Sequence, residues 1–188
     1  MGEQTTIEGV DYGPLAVLIG TWRGDKGMDV APEPDGDEHN AYYETIVFEA
    51  AGDVTNAEQQ TLAVVRYHQV VQRKTNDEVF HDQVGYWLWD AADNSVLESF
   101  VIPRGVGVVA HGNVSGEGDE VALEVTTDDG NGSIAQAPFM SANASTTGFS
   151  HRLVVTGDSM QYSETTLLDI YDKKAYQHTD ENTLRRDG

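Results

Sequence analysis

The spacing of apolar residues constrains this chain more than any other feature. From residue 20 onward they recur in short runs broken by Gly, Asp and Asn, and helical periodicity is nearly absent. In 119–127, Val121, Leu123 and Val125 fall on one face and Glu120 and Glu124 on the other. In 159–171, Met160, Tyr162, Leu168 and Ile170 share a face, with Glu164 and Thr166 between them. Tight-turn chemistry separates the runs: Asp93-Asn94, Ser115-Gly116-Glu117-Gly118, Asp128 to Gly132 and Thr156-Gly157-Asp158. The pattern predicts strands over 20–27, 41–50, 59–72, 78–90, 95–102, 106–114, 119–127, 145–156, 159–171 and 174–186. An antiparallel sheet of that size must hide its edges. Closure into a ten-stranded up-and-down barrel does so in one small all-β domain spanning 1–188, with the barrel over about 14–186. A two-sheet sandwich is the structural alternative.

Pro14 to Ile19 is the one helix-like apolar piece. Its Pro suits a first turn and Gly20 stops it, so it reads as a short plug helix. Residues 28–40, acidic and with two prolines, read as a loop over one barrel end. Residues 130–144 read as a small, polar segment with Phe139 and Met140 as its apolar foot.

Charge removes whole classes of function. There are 32 acidic residues against 11 Lys and Arg, a formal net charge of -21. Such a surface repels phosphate backbones and anionic bilayers, so neither nucleic acid nor membrane is an expected partner. It also matches what a high-salt habitat selects. With no cysteine there is no disulfide, thiolate metal site or Cys nucleophile. The N-terminus carries no basic segment followed by an apolar one, and no run approaches the ~18 apolar residues of a membrane span. The expected location is cytoplasmic.

Several motifs carry less than their letters suggest. Gly105-Val106-Gly107-Val108-Val109-Ala110 resembles a dinucleotide fingerprint, but Val106, Val108 and Val109 continue as a strand and no helix opens to receive a pyrophosphate. Asp129 to Ser133 has calcium-loop spacing without the glycine and closing carboxylate such a loop needs. The sequons at Asn113, Asn131 and Asn143 lack a secretory context. No GxSxG elbow occurs. The histidines at 39, 68, 81, 111, 151 and 178 show no i, i+2 or i, i+4 pairing of the kind a multi-His zinc site uses.

Gly20-Thr21-Trp22-Arg23-Gly24 resembles the G-x-W signature of the calycin barrels. His81-Asp82-Gln83-Val84-Gly85-Tyr86-Trp87 resembles the H-x-E-T-G-Y-W stretch of the nitrobindins, haem-binding relatives of fatty-acid-binding proteins. Glu44 to Phe48, Glu58 to Thr61, Gly132 to Ile134 and Asn182 to Arg186 follow in that family's order. The resemblance implies a fatty-acid-binding-type barrel that holds ferric haem b. One C-terminal histidine would ligate the iron, and the activity would be on nitric oxide and peroxynitrite. It further implies that Trp22 closes the barrel floor beneath an arginine of the last strand, Arg185 or Arg186.

The family places its ligand histidine five residues before a leucine of the last strand, which here is Thr179; His178 stands one place away. Strand alternation then turns Thr179 inward and His178 outward, unless a bulge intervenes between Ala175 and Asn182. The candidate cofactor residues are therefore His178 as proximal ligand, Thr179, and His81 with Phe80 on the distal side. Three functions follow: a haem-binding barrel, acting as a peroxynitrite isomerase only with haem bound; a haem-free carrier of a small apolar or fatty-acid-like ligand; and a barrel with a filled interior.

Overall fold

In the computed structural model, residues 5–117, 119–128, 130 and 132–188 are described. β1 (Thr6–Ile7) and β2 (Val10–Asp11) pair as a small hairpin. The short plug helix expected follows as a 3-10 helix over Gly13–Leu18, and it buries Leu15 and Leu18 completely.

The main sheet contains β3 (Gly20–Glu33), β4 (Gly36–Asn56), β5 (Gln60–Arg73), β6 (Val79–Asp90), β7 (Ser95–Ile102), β8 (Val106–Ser115), β9 (Glu120–Thr126) and β10 (Ser133–Gln136). After α1 (Pro138–Asn143) come β11 (Ala144–Thr156), β12 (Ser159–Ile170) and β13 (Lys173–Arg186). All pairings are antiparallel. Neighbours follow chain order from β3 to β9, β9 pairs β11, and β13 returns to β3, so ten strands close into a barrel. β10 is an eleventh strand, added to the β8 edge along Val106–Val109. Closure needs a close crossing at Gly112, where a Cβ would lie 1.7 Å from the Glu124 carbonyl oxygen.

Two segments differ from the sequence expectation. Residues 28–40 are the ends of β3 and β4, joined by a two-residue turn at Pro34-Asp35, because edge-on prolines and alternate apolar positions can continue a hairpin. Residues 133–143 form β10 and α1. Met140 packs on the core while Phe139 is exposed, so the apolar foot is Met140 alone. Asp129 and Asn131, which belong to the calcium-like stretch, lie outside the described residues.

The barrel is filled at one end and hollow at the other. Trp22, Trp87, Leu15, Leu18, Leu123, Leu153, Met160 and Leu184 fill the first half, each essentially buried. Burial of one such side chain contributes ~1.5–3 kcal/mol. Arg186 closes this floor. Its guanidinium lies 4.2 Å from the Trp22 ring centroid and donates to the Ile19 and Val17 carbonyls at 2.6 and 2.7 Å. Trp22 Nε1 donates to the Leu18 carbonyl at 2.7 Å. Arg185 points outward and is exposed.

Candidate functional site

The hollow half encloses about 350 Å³, with an apolar lining from Phe100, Ile102, Val106, Val108, Phe149 and Leu168. The same cavity also carries the polar side chains of Asp29, His81, Glu164, His178 and Asp180. Arg73 and Phe80 stand together at its rim, with the Arg73 guanidinium 4.6 Å from the ring centroid.

Local irregularities aim these side chains. In β3, Trp22 faces inward at an even position and Asp29 at an odd one. The change occurs at a bulge between Gly24 and Gly27, seen against both β4 and β13. Gly27 permits it, since a Cβ there would lie 1.9 Å from the Tyr42 ring. In β6 the register shifts between Val79 and His81, so Phe80 and His81 both reach the cavity.

β13 corrects the register expectation. It pairs β12 without interruption from Tyr176 to Arg185, with no bulge, yet His178 lines the cavity. Leu184 is itself inward and fully buried, so only even steps back from it reach the inner face. His178 and Asp180 are such steps; Thr179 lies between them on the outer face and is not part of the lining. The bulge that the family offset called for sits on the neighbouring strand β3.

His178 Nε2 lies 2.6 Å from Asp29 Oδ1 and 3.5 Å from Asp180 Oδ2. Burial lowers the His178 pKa, but the hydrogen bond to Asp29 and the charges of Asp180 and Asp29 outweigh it, and the net shift is upward. Asp180 is pushed well up by burial and by the nearby Glu164 charge. Glu164 is raised to about 7 by burial, against the opposing influence of His151.

Two hydrogen-bonded networks underlie the cavity, and sequence reasoning identified neither. Glu44 accepts from Gln69 at 2.6 Å, Asn182 at 2.7 Å and the Tyr162 hydroxyl at 3.1 Å, and burial raises its pKa. A second chain runs from His81 through Gln83 and the Tyr67 hydroxyl to Glu98, which accepts from His151 Nδ1 at 2.8 Å. Despite burial, the Glu98 charge and hydrogen bond carry His151 up to about 9. Its Nε2 is buried without a hydrogen-bond partner among the described residues. The available signal was parity: Glu44, Gln83 and Glu98 occupy positions on strands whose alternation turns them inward.

A closed barrel, packed at one end and open at the other around polar groups, defines a small-molecule-binding barrel. The chain belongs to the family of THAP4-like, heme-binding beta-barrel domains, whose model matches residues 11–186, and it is nitrobindin-like. It is similar to the crystal structure of Rv2717c from M. tuberculosis, with a TM-score of 0.70 and 22% identity over 93% of this chain and 95% of that one. No curated protein matches the sequence. Among the described residues, no helix is long and apolar enough to cross a membrane.

The family implies haem b, and the cavity fits it only in part. The apolar wall suits a macrocycle. The donor does not: two carboxylate oxygens, Asp29 Oδ1 at 2.6 Å and Asp180 Oδ2 at 3.5 Å, crowd His178 Nε2 on the side from which a macrocycle would have to approach. As arranged, these residues suit a cation or a hydrogen-bond donor better than a porphyrin iron.

Proposed function

We propose that the chain is a haem-free ligand-binding barrel that takes one compact molecule into the His178 cavity. Such a ligand presents a cationic or hydrogen-bond-donating edge to Asp29, Glu164 and Asp180 and an apolar body to Phe100, Val108 and Phe149. The observation that carries this reading is the retained cavity of about 350 Å³ with carboxylates aimed into it. Buried charge is costly unless something compensates it, and a complementary ligand would do so. A fatty acid suits the same wall poorly, because its carboxyl group would add a further desolvated acid to Asp29, Glu164 and Asp180. Family membership and the inward His178 favour a second reading, ferric haem b on His178 with activity on nitrogen oxides, which requires His178 to release Asp29.

Native mass spectrometry of the purified protein, together with a ferric-haem titration of wild type and His178→Ala, tests both. A retained small molecule and no Soret band support the first reading. A one-to-one Soret complex lost in His178→Ala supports the second. An empty cavity that takes up neither haem nor any member of a library of small amines overturns both.

A further inference from the structure

We propose that Asp29, His178 and Asp180 form a binding site for a divalent first-row transition-metal ion, with its remaining coordination positions open to the cavity. The inference rests on the same cavity as the proposed function, but it concerns a different occupant with a different ligand set.

The three side chains each offer one donor atom, and these atoms all lie within 4.8 Å of one another. Backbone pairing fixes the arrangement. Asp180 and Asp29 are direct partners across β13 and β3, and His178 is two residues from Asp180 on the same inward face. Like charges directly opposite each other destabilise a sheet, and here they are also withdrawn from water. Asp29 has only 4% of its side chain exposed, and Asp180 27%. A cation between them converts that repulsion into attraction.

The surroundings are built for it. Asn40 Nδ2 donates to Asp29 Oδ2 at 2.8 Å, which orients the carboxylate and leaves Oδ1 directed at His178. Hydrogen bonds of this kind set the orientation of ligating carboxylates in metal sites. Independently, Glu164 lines the same cavity, and its carboxylate forms no hydrogen bond or ion pair with a described residue. It is available to a metal-bound water. Binding would displace the protons that the cluster holds to solvent, after which one imidazole and two carboxylates balance a double positive charge. The nitrogen donor selects zinc, iron(II) or cobalt over calcium and magnesium, which take oxygen ligands. The β3 bulge is what makes the site, since without it Asp29 would face outward.

The probe is Co²⁺, followed by its d–d absorption, with Zn²⁺ titrated by calorimetry. Both use chelator-stripped protein in ~1 M salt, where screening suppresses adsorption to the acidic surface. One equivalent is expected to bind. Asp29→Asn, Asp180→Asn and His178→Gln should each weaken binding by ~100-fold or more, given that losing even an orienting group costs ~10–100-fold. The exposed Asp82→Asn should bind as wild type. Thermal melts confirm that each variant is folded, and the three variants bear independently on the same site.

No binding, several equivalents, or affinity unchanged in all three variants overturns the inference and assigns any uptake to surface carboxylates. A ligand captured in native spectra without metal uptake would sink this inference and leave the proposed function standing. One metal equivalent with an otherwise empty cavity would do the reverse. Asp29→Asn also separates the metal from haem, because it removes a ligand of the ion and frees His178 for iron.

Discussion

Replacing Arg186 tests how the floor of the barrel is held. Its guanidinium covers the fully buried Trp22 ring and caps two carbonyls at the end of the 3-10 turn. A partly desolvated cation–π contact contributes ~1 kcal/mol or more. Each hydrogen bond from a charged donor contributes ~1.5 kcal/mol at the low end, the appropriate choice for a side chain that is 27% exposed. The ion pair to Asp158, whose side chain is 80% exposed, contributes little. Arg186→Ala should therefore cost about 4 kcal/mol. Arg186→Lys should cost about half of that, since an ammonium cannot stack as a plane and reach both carbonyls at once. For a chain of this length, ~2–4 °C per kcal/mol translates the alanine loss into a fall in Tm of about 8–16 °C. Thermal unfolding followed by tryptophan emission measures it. A fall below about 2 °C would show that the turn and Trp22 hold their places by packing alone.

Other outcomes follow from charge and closure. Tm should rise between ~10 mM and ~1 M salt as the Debye length shrinks from ~30 to ~3 Å, because 32 acidic residues repel one another on one small domain; a flat Tm would mean that they are spread too evenly to matter. Stability should fall as pH rises from about 5 to 9. Glu164, Asp180 and Glu44 keep their protons to higher pH folded than unfolded, so the folded state binds more protons through about pH 7. His151 adds stability that is full below ~6.5 and lost as pH passes about 9. Denaturant titrations across that range check the slope, and Glu164→Gln should flatten its lower half. Gly112→Ala should cost ~2–3 kcal/mol or prevent closure, because neither backbone at the β8–β9 crossing can yield to a methyl group; an unchanged denaturant midpoint would contradict the crossing.

The barrel was legible because its strands carry their own period. Val121, Leu123 and Val125 face inward or half-inward as their alternation predicts, and the Gly and Asn turns fall between strands. What stayed hidden were the places where that period breaks. Pro32 and Pro34 made 28–40 look like a loop, so Asp29 was never considered as an interior residue. The Gly24–Gly27 bulge, which reverses the parity of β3, would have been needed to see it. His178 was found by resemblance but oriented wrongly, because the family's spacing of five was counted back from Leu184, an odd step that leaves the inward face on which the buried Leu184 itself lies. Glu44 and Glu98 read as ordinary strand carboxylates, since a sequence shows parity but not which partners across the barrel will satisfy them. The haem resemblance named the right family, yet the carboxylates that crowd the imidazole, Asp29 and Asp180, sit on β3 and β13 just beyond the residues that the matching motifs cover.

The pairing of Asp29 with His178 joins residues 149 apart in sequence, across the seam between the first and last strands of the barrel. Anything that grips both behaves as a removable cross-link. It closes nearly the largest loop this chain can form, and linking a ~100-residue loop is worth ~4.7 kcal/mol in the chain-entropy account. An occupant of the cavity then does more than bind. It fastens the ends of a sheet that cannot close until its final strand arrives, and its loss loosens the barrel at that seam first. Occupancy should therefore show most strongly in hydrogen exchange of the β3–β13 amides, well away from the packed floor.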